Sequence, residues 1–176
     1  MRVFAAILAP EQAREAIAKA AACLDGSLGA RLIEPKNYHF TLKFIGEADS
    51  ERARQIEEAL ARVKFAPFSV RLAGAGAFPS AQVPRAIWLG GESQGASELA
   101  AKVEDALSFL NLRKEKFALH LTVARSKGVA DIDEFMKTGE VCGFEVRSFA
   151  LMKSTLAAHG AVYEVLREFP AEGEGE

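Results

Sequence analysis

Two short runs, His39-Phe40-Thr41-Leu42 and His120-Leu121-Thr122-Val123, repeat one pattern in the two halves of the chain: histidine, any residue, threonine, apolar. Each lies in a stretch of alternating polarity, and alternation is the signature of a strand with one covered face. In the first run His39, Thr41 and Lys43 are expected on one face and Tyr38, Phe40, Leu42 and Phe44 on the other. In the second, His120 and Thr122 oppose Leu119, Leu121 and Val123. The apolar faces demand a sheet packed on a core. They leave an imidazole and a hydroxyl together on the open side, twice. With three histidines and four threonines in the chain, chance would place Thr two residues after two of the histidines in about one such chain in 600. We therefore read the recurrence as a built feature.

The rest of the chain supplies partners for these strands. Val3-Phe4-Ala5-Ala6-Ile7-Leu8-Ala9 reads as a buried first strand, and Pro10 opens a helix to about Leu24, closed by Gly26 and Gly29. A short strand over 31–34 and a Pro35-Lys36-Asn37 turn lead into the first motif. Asp49 or Ser50 caps a helix over 51–63, residues 65–73 return as a strand, and 74–79 read as a loop or irregular edge. A strand over 85–90 and a helix from about Ser97 to Leu110 follow, then the second motif strand over 117–124. A short helix over 131–137 and strands over 143–153 and 161–168 complete the pattern. This order predicts an α+β fold with two lobes related by a pseudo-two-fold. Largely antiparallel sheets would line a central cleft, with helices outside. One bilobal domain is expected over residues 1–170, and the acidic segment 171–176 is expected to be disordered.

Two imidazoles and two hydroxyls facing one cleft suit phosphoryl chemistry on a cyclic or diester substrate. One imidazole can take a proton from water while the other gives one to the departing oxygen. The threonines can donate hydrogen bonds to non-bridging oxygens. Lys43, on the His39 face, could offset phosphate charge. Arg125 could pair with phosphate, but strand parity places it opposite His120, so a bend is needed to bring it round. Lys153-Ser154-Thr155 is a weaker candidate for the cleft wall, and His159 reads as an exposed turn histidine. No metal or other cofactor is expected. Neither a Gly-Lys-Ser/Thr phosphate loop nor a nucleophile elbow is present.

The net charge of −2 argues against a broad nucleic-acid-coating surface, while leaving room for one phosphate in a local cleft. Cys23 and Cys142 are expected as buried free thiols, the apolar first segment is too short to span a membrane, and a cytoplasmic monomer is expected.

At these residues the chain resembles the two-histidine phosphoesterase superfamily, and within it the RNA 2′,3′-cyclic phosphodiesterases, also called 2′-5′ RNA ligases. The resemblance runs through 2–7, 35–47, Phe78-Pro79, 84–90, 120–125, and 151–154 with Gly160 and Tyr163. Leu119 departs from it, since family members usually carry proline there. The resemblance implies hydrolysis of an RNA-terminal 2′,3′-cyclic phosphate to a 2′-phosphate, with 2′-5′ ligation as the chemical reversal. It implies His39 as the proton donor to the leaving 3′-oxygen, His120 as the base, and Thr41 and Thr122 on the phosphate. The residues alone are nearly symmetric and allow the reverse proton flow. Two other readings remain open: hydrolysis of small cyclic nucleotides or ADP-ribose cyclic phosphate, and a non-catalytic RNA- or nucleotide-binding module.

Overall fold

The first strand is apolar without alternation because it is covered on both faces. In the computed structural model, which describes residues 1–173, β1 (Arg2–Leu8) is buried from Val3 to Ile7. Val3, Ala5 and Ile7 enter the main core. Phe4 and Ala6 point the other way and cluster with Ala150 and Met152. β1 is central in a four-stranded antiparallel sheet, flanked by β3 (His39–Glu47) and β8 (Ser148–Ala157), with β9 (Gly160–Pro170) beyond β8.

A second antiparallel sheet has the order β2 (Ala30–Leu32), β6 (His120–Ser126), β5 (Pro84–Glu92), β4 (Phe68–Pro79), β7 (Glu140–Val146). Each sheet thus carries one His-x-Thr strand. The helices are α1 (Glu11–Ala21), α2 (Ser50–Leu60), α3 (Gln94–Ala106) and α4 (Asp133–Met136). α1 leaves the first sheet yet packs on β6 and β7 of the second; α3 leaves the second and packs on β3 of the first as well as on β4. Ile17, Ile56, Leu60, Leu99 and Val103 are fully buried in one continuous core that joins both sheets. Each such side chain stabilises the fold by about 2 kcal/mol. This two-sheet α+β architecture is the one the element order predicts.

Helix starts follow their caps. Asp49 accepts from the Arg52 amide at 2.7 Å and starts α2. Ser93 accepts from the Ala96 amide at 3.1 Å, so α3 begins before Ser97. Some readings of the sequence need correction. Of the two readings of residues 74–79, the irregular edge is the one found and the loop is not: they are the second half of β4, paired with β5 alone, and Gly74, at φ +82°, absorbs a bulge in that pairing and keeps the strand going. Residues 143–153 are two strands, broken at Arg147, that belong to different sheets. The tail is anchored at its start: Ala171 is buried and donates to the Arg147 carbonyl, and Glu172 donates to that of Phe65, each at 2.8 Å. Residues 174–176 of the expected disordered segment lie outside the described part. Cys23 is exposed and Cys142 half-buried, so the expectation of two buried thiols fails at Cys23.

The motif strands themselves are bulged at the same place. Ala5 pairs with Lys43 and Ala6 with Thr41, leaving Leu42 as the extra residue in β3. Ile87 pairs with Ala124 and Trp88 with Thr122, leaving Val123 as the extra residue in β6. Each extra residue is the fourth of its motif, and beyond it the two faces exchange. Lys43 therefore does not share the His39 face. It is 9% exposed, lies 2.7 Å from the Glu104 carboxylate, and donates to the Arg113 carbonyl at 2.7 Å. Its charge is neutralised inside the fold and tethers the segment that leads into β6.

Removing that ammonium leaves Glu104 half-buried without its partner, a loss of about 1.5–3 kcal/mol for a charge-assisted contact. Lys43→Met should lower the urea midpoint by a corresponding amount. Lys43→Met/Glu104→Leu should recover part of it; a single variant as stable as the parent would show that the pair contributes nothing.

Candidate active site

Both motif histidines are held by their own backbone. His39 Nδ1 lies 2.8 Å from the Asn37 carbonyl, and His120 Nδ1 lies 2.8 Å from the Ala118 carbonyl. A carbonyl only accepts, so the contact sets Nδ1 as the protonated nitrogen in each ring. Nε2 is left on the open side, where it can accept a proton when neutral or give one when charged. The partner carbonyl stands two residues before the histidine in both strands, so the two halves repeat this arrangement.

Aromatic rings fix the imidazoles further. His39 sits against Phe4 at 5.1 Å and edge-on to Tyr163 at 5.0 Å. His120 is perpendicular to Phe78 at 5.2 Å and tilted against Trp88 at 5.9 Å. Trp88 pairs across the ladder with Thr122 and Gly76, so its indole shares the motif face. It lies flat over Gly76, where an added methyl would come within 2.3 Å of the ring. That close approach explains a glycine in the middle of β4.

The two motif faces meet. β3 packs against β6 although they belong to different sheets. Burial pushes the His39 pKa below the ordinary imidazole range, opposed by the bond to Asn37; the charges of Arg125 and His120 push it further down. Two groups of the second sheet thus act electrostatically on His39 of the first. Thr41 and Thr122 are half-buried on the same faces, and neither hydroxyl bonds to another described residue. Arg125 reaches this side because of the bulge at Val123: it pairs with Ala86, two positions along β5 from the partner of Thr122. The bulge at Leu42 likewise turns Phe44 outward onto the His39 face, where it is 67% exposed and 6.2 Å from Phe4.

Of the remaining candidates, Ser154 pairs with Tyr163 and Arg2, Lys153 faces Glu164 at 3.5 Å, and His159 is exposed in the β8–β9 turn. Strand parity puts Phe44 on the covered face, and alternation carries no signal for the aromatic walls of the site. The adjacent apolar residues Val123-Ala124 were the available sign that alternation lapses there. Among the described residues, no group of three or more His, Cys, Asp or Glu side chains is placed to hold a metal ion.

Two antiparallel sheets, each presenting a His-x-Thr strand to a shared cleft, define the two-histidine phosphoesterase class. Residues 7–88 match the family model described as LigT like Phosphoesterase. The RNA 2′,3′-cyclic phosphodiesterase of Archaeoglobus fulgidus is 38% identical over 175 residues, covering 96% of this chain and 99% of that protein. The protein of the same name from Thermus thermophilus is 34% identical, covering 99% and 92%. A crystal structure from Thermus thermophilus superposes with a TM-score of 0.89 at 30% identity, covering 99% of this chain and all of that one. The structure of E. coli LigT with 3′-AMP shares the fold, with a TM-score of 0.80 at 23% identity over 97% of each chain. The chain belongs to the LigT-like phosphoesterase family.

The electrostatics of His39 can be read directly. In an NMR titration of the free protein, His39 should titrate below the ordinary imidazole value of about 6.5. Arg125→Gln, by removing a positive charge, should raise it. A His39 value at or above the ordinary one, or one unmoved by Arg125→Gln, would contradict the arrangement.

Proposed function

We propose that this protein hydrolyses the 2′,3′-cyclic phosphate at an RNA end to a 2′-phosphate and a free 3′-hydroxyl. The observation that carries the reading is the matched pair of imidazoles, each with Nδ1 committed to its backbone and Nε2 left for substrate. In the reaction, water adds to phosphorus as its proton passes to His120 Nε2. The P–O3′ bond breaks as His39 Nε2–H gives its proton to the departing oxygen. Thr41, Thr122 and Arg125 hold the non-bridging oxygens, where charge accumulates. Burial, with the charges of Arg125 and His120 behind it, holds the His39 pKa down in the free protein, and the anionic phosphodiester, set against those charges, favours its charged form. The direction of proton flow follows the family; the geometry of the two rings is alike.

The relatives' name, RNA 2′,3′-cyclic phosphodiesterase, supports the substrate, as does the exposed Phe44 on the His39 face. A ring there can stack a base, which a bare cyclic phosphate would not use. Ligation to a 5′-hydroxyl is the same chemistry run backwards. We read residues 1–170 as one bilobal unit working as a monomer in the cytoplasm; no described helix is long and apolar enough to cross a membrane.

The test is turnover of an oligoribonucleotide ending in a 2′,3′-cyclic phosphate, in EDTA. His39→Ala and His120→Ala should each lower kcat by about 10²–10⁴-fold with the fold intact. Near-parental turnover by both variants, or a strict metal requirement, would overturn the mechanism. Faster turnover of a cyclic mononucleotide than of the oligonucleotide would favour the small-substrate reading, and tight binding without turnover by the parent would favour a binding module.

A further inference from the structure

β2 is only three residues long, yet it places Arg31 directly opposite Arg125 on β6. Directly opposed residues of an antiparallel pair share a face, so Arg31 lies on the side of His120 and Thr122. Like charges in that position destabilise the pair. Both side chains are exposed, and neither forms an ion pair among the described residues. Glu34, the carboxylate that senses Arg31, is taken up by Lys36 at 2.8 Å.

A second observation fixes where Arg31 points. Gly160, at φ +118°, forms the turn between β8 and β9 of the other sheet. A methyl group there would sit 3.8 Å from the Arg31 guanidinium. Arg31 therefore reaches from the edge of the second sheet to the hairpin tip of the first, while the charge acting on His39 is that of Arg125. Along β6 the step from Thr122 to Arg125 is about 7 Å once the bulge is allowed for, and Arg31 stands about 5 Å further across.

We infer that Arg31, beside Arg125, binds the phosphodiester one nucleotide inward from the cyclic end, so that the site selects a polynucleotide over a cyclic mononucleotide. The inference rests on the cyclic-phosphodiesterase reading above and names a second phosphate subsite for it. An anion seated there offsets the repulsion between the two guanidinium groups.

The experiment compares kcat/KM for a mononucleoside 2′,3′-cyclic phosphate with that for a trinucleotide carrying the same cyclic end, from 50 to 200 mM salt. Arg31→Gln should lower the trinucleotide value about tenfold more than the mononucleotide value, mainly through KM. It should also flatten the trinucleotide's log–log salt dependence by about 0.7, the share of one phosphate contact on a single strand. Arg31→Lys, which keeps the charge, should restore the slope, and Arg62→Gln, beyond α2, should match the parent. Equal losses on both substrates, or an unchanged slope, would overturn the subsite. If the parent turned over neither substrate, the phosphodiesterase reading itself would fall.

Discussion

A strand shows only alternate residues to one face, and this protein's cleft uses residues that strict alternation cannot deliver. The bulges at Leu42 and Val123 remove the difficulty in both halves at once. Each lets His and Thr stand two apart on the open face, and then returns the fifth residue after the opening one, Phe44 or Arg125, to that same face. A bulge also twists its strand more strongly. Without it Arg125 would point into the core as an unpaired charge, Phe44 would be inward, and the Lys43–Glu104 tether would be lost. The site's asymmetry, an exposed Phe44 ring at the end of one motif and the Arg125 guanidinium at the end of the other, is generated at a single repeated backbone feature.

The carbonyls of Asn37 and Ala118 do the same for chemistry that the bulges do for geometry. By fixing the protonated nitrogen of each imidazole, they leave the two Nε2 atoms as equivalent reagents, and the surroundings then differentiate them. His39 is the more deeply enclosed, between Phe4 and Tyr163, and feels both Arg125 and His120. Burial is the largest of the effects that hold its pKa down, and the two positive charges add to it; an anion seated against those charges would offset their share.

Much of this was legible in the residues. Alternation around His39 and His120 located both motif strands, and the order of elements gave the two antiparallel sheets. What alternation cannot show is its own interruption, so it puts Lys43 on the cleft face when the side chain is buried against Glu104. The same lapse made the placement of Arg125 contingent on a bend that turned out to be the bulge. Residues 74–79 read as a loop or an irregular edge because Gly74 serves a bulge and Gly76 makes room for Trp88; both are long-range demands that local composition records as turn chemistry. Arg31 takes its meaning from its register partner, and pairing between strands so far apart in sequence leaves no local mark.

The central claim is that water adds to phosphorus while His39 protonates O3′, and the product isomer tests it most directly. Hydrolysis of a 2′,3′-cyclic-phosphate oligoribonucleotide, followed by phosphorus NMR, should yield the 2′-phosphate as the sole product, with His39→Ala suppressing its formation. A 3′-phosphate, or a mixture of the two isomers, would contradict the proposed orientation of the substrate between the two histidines.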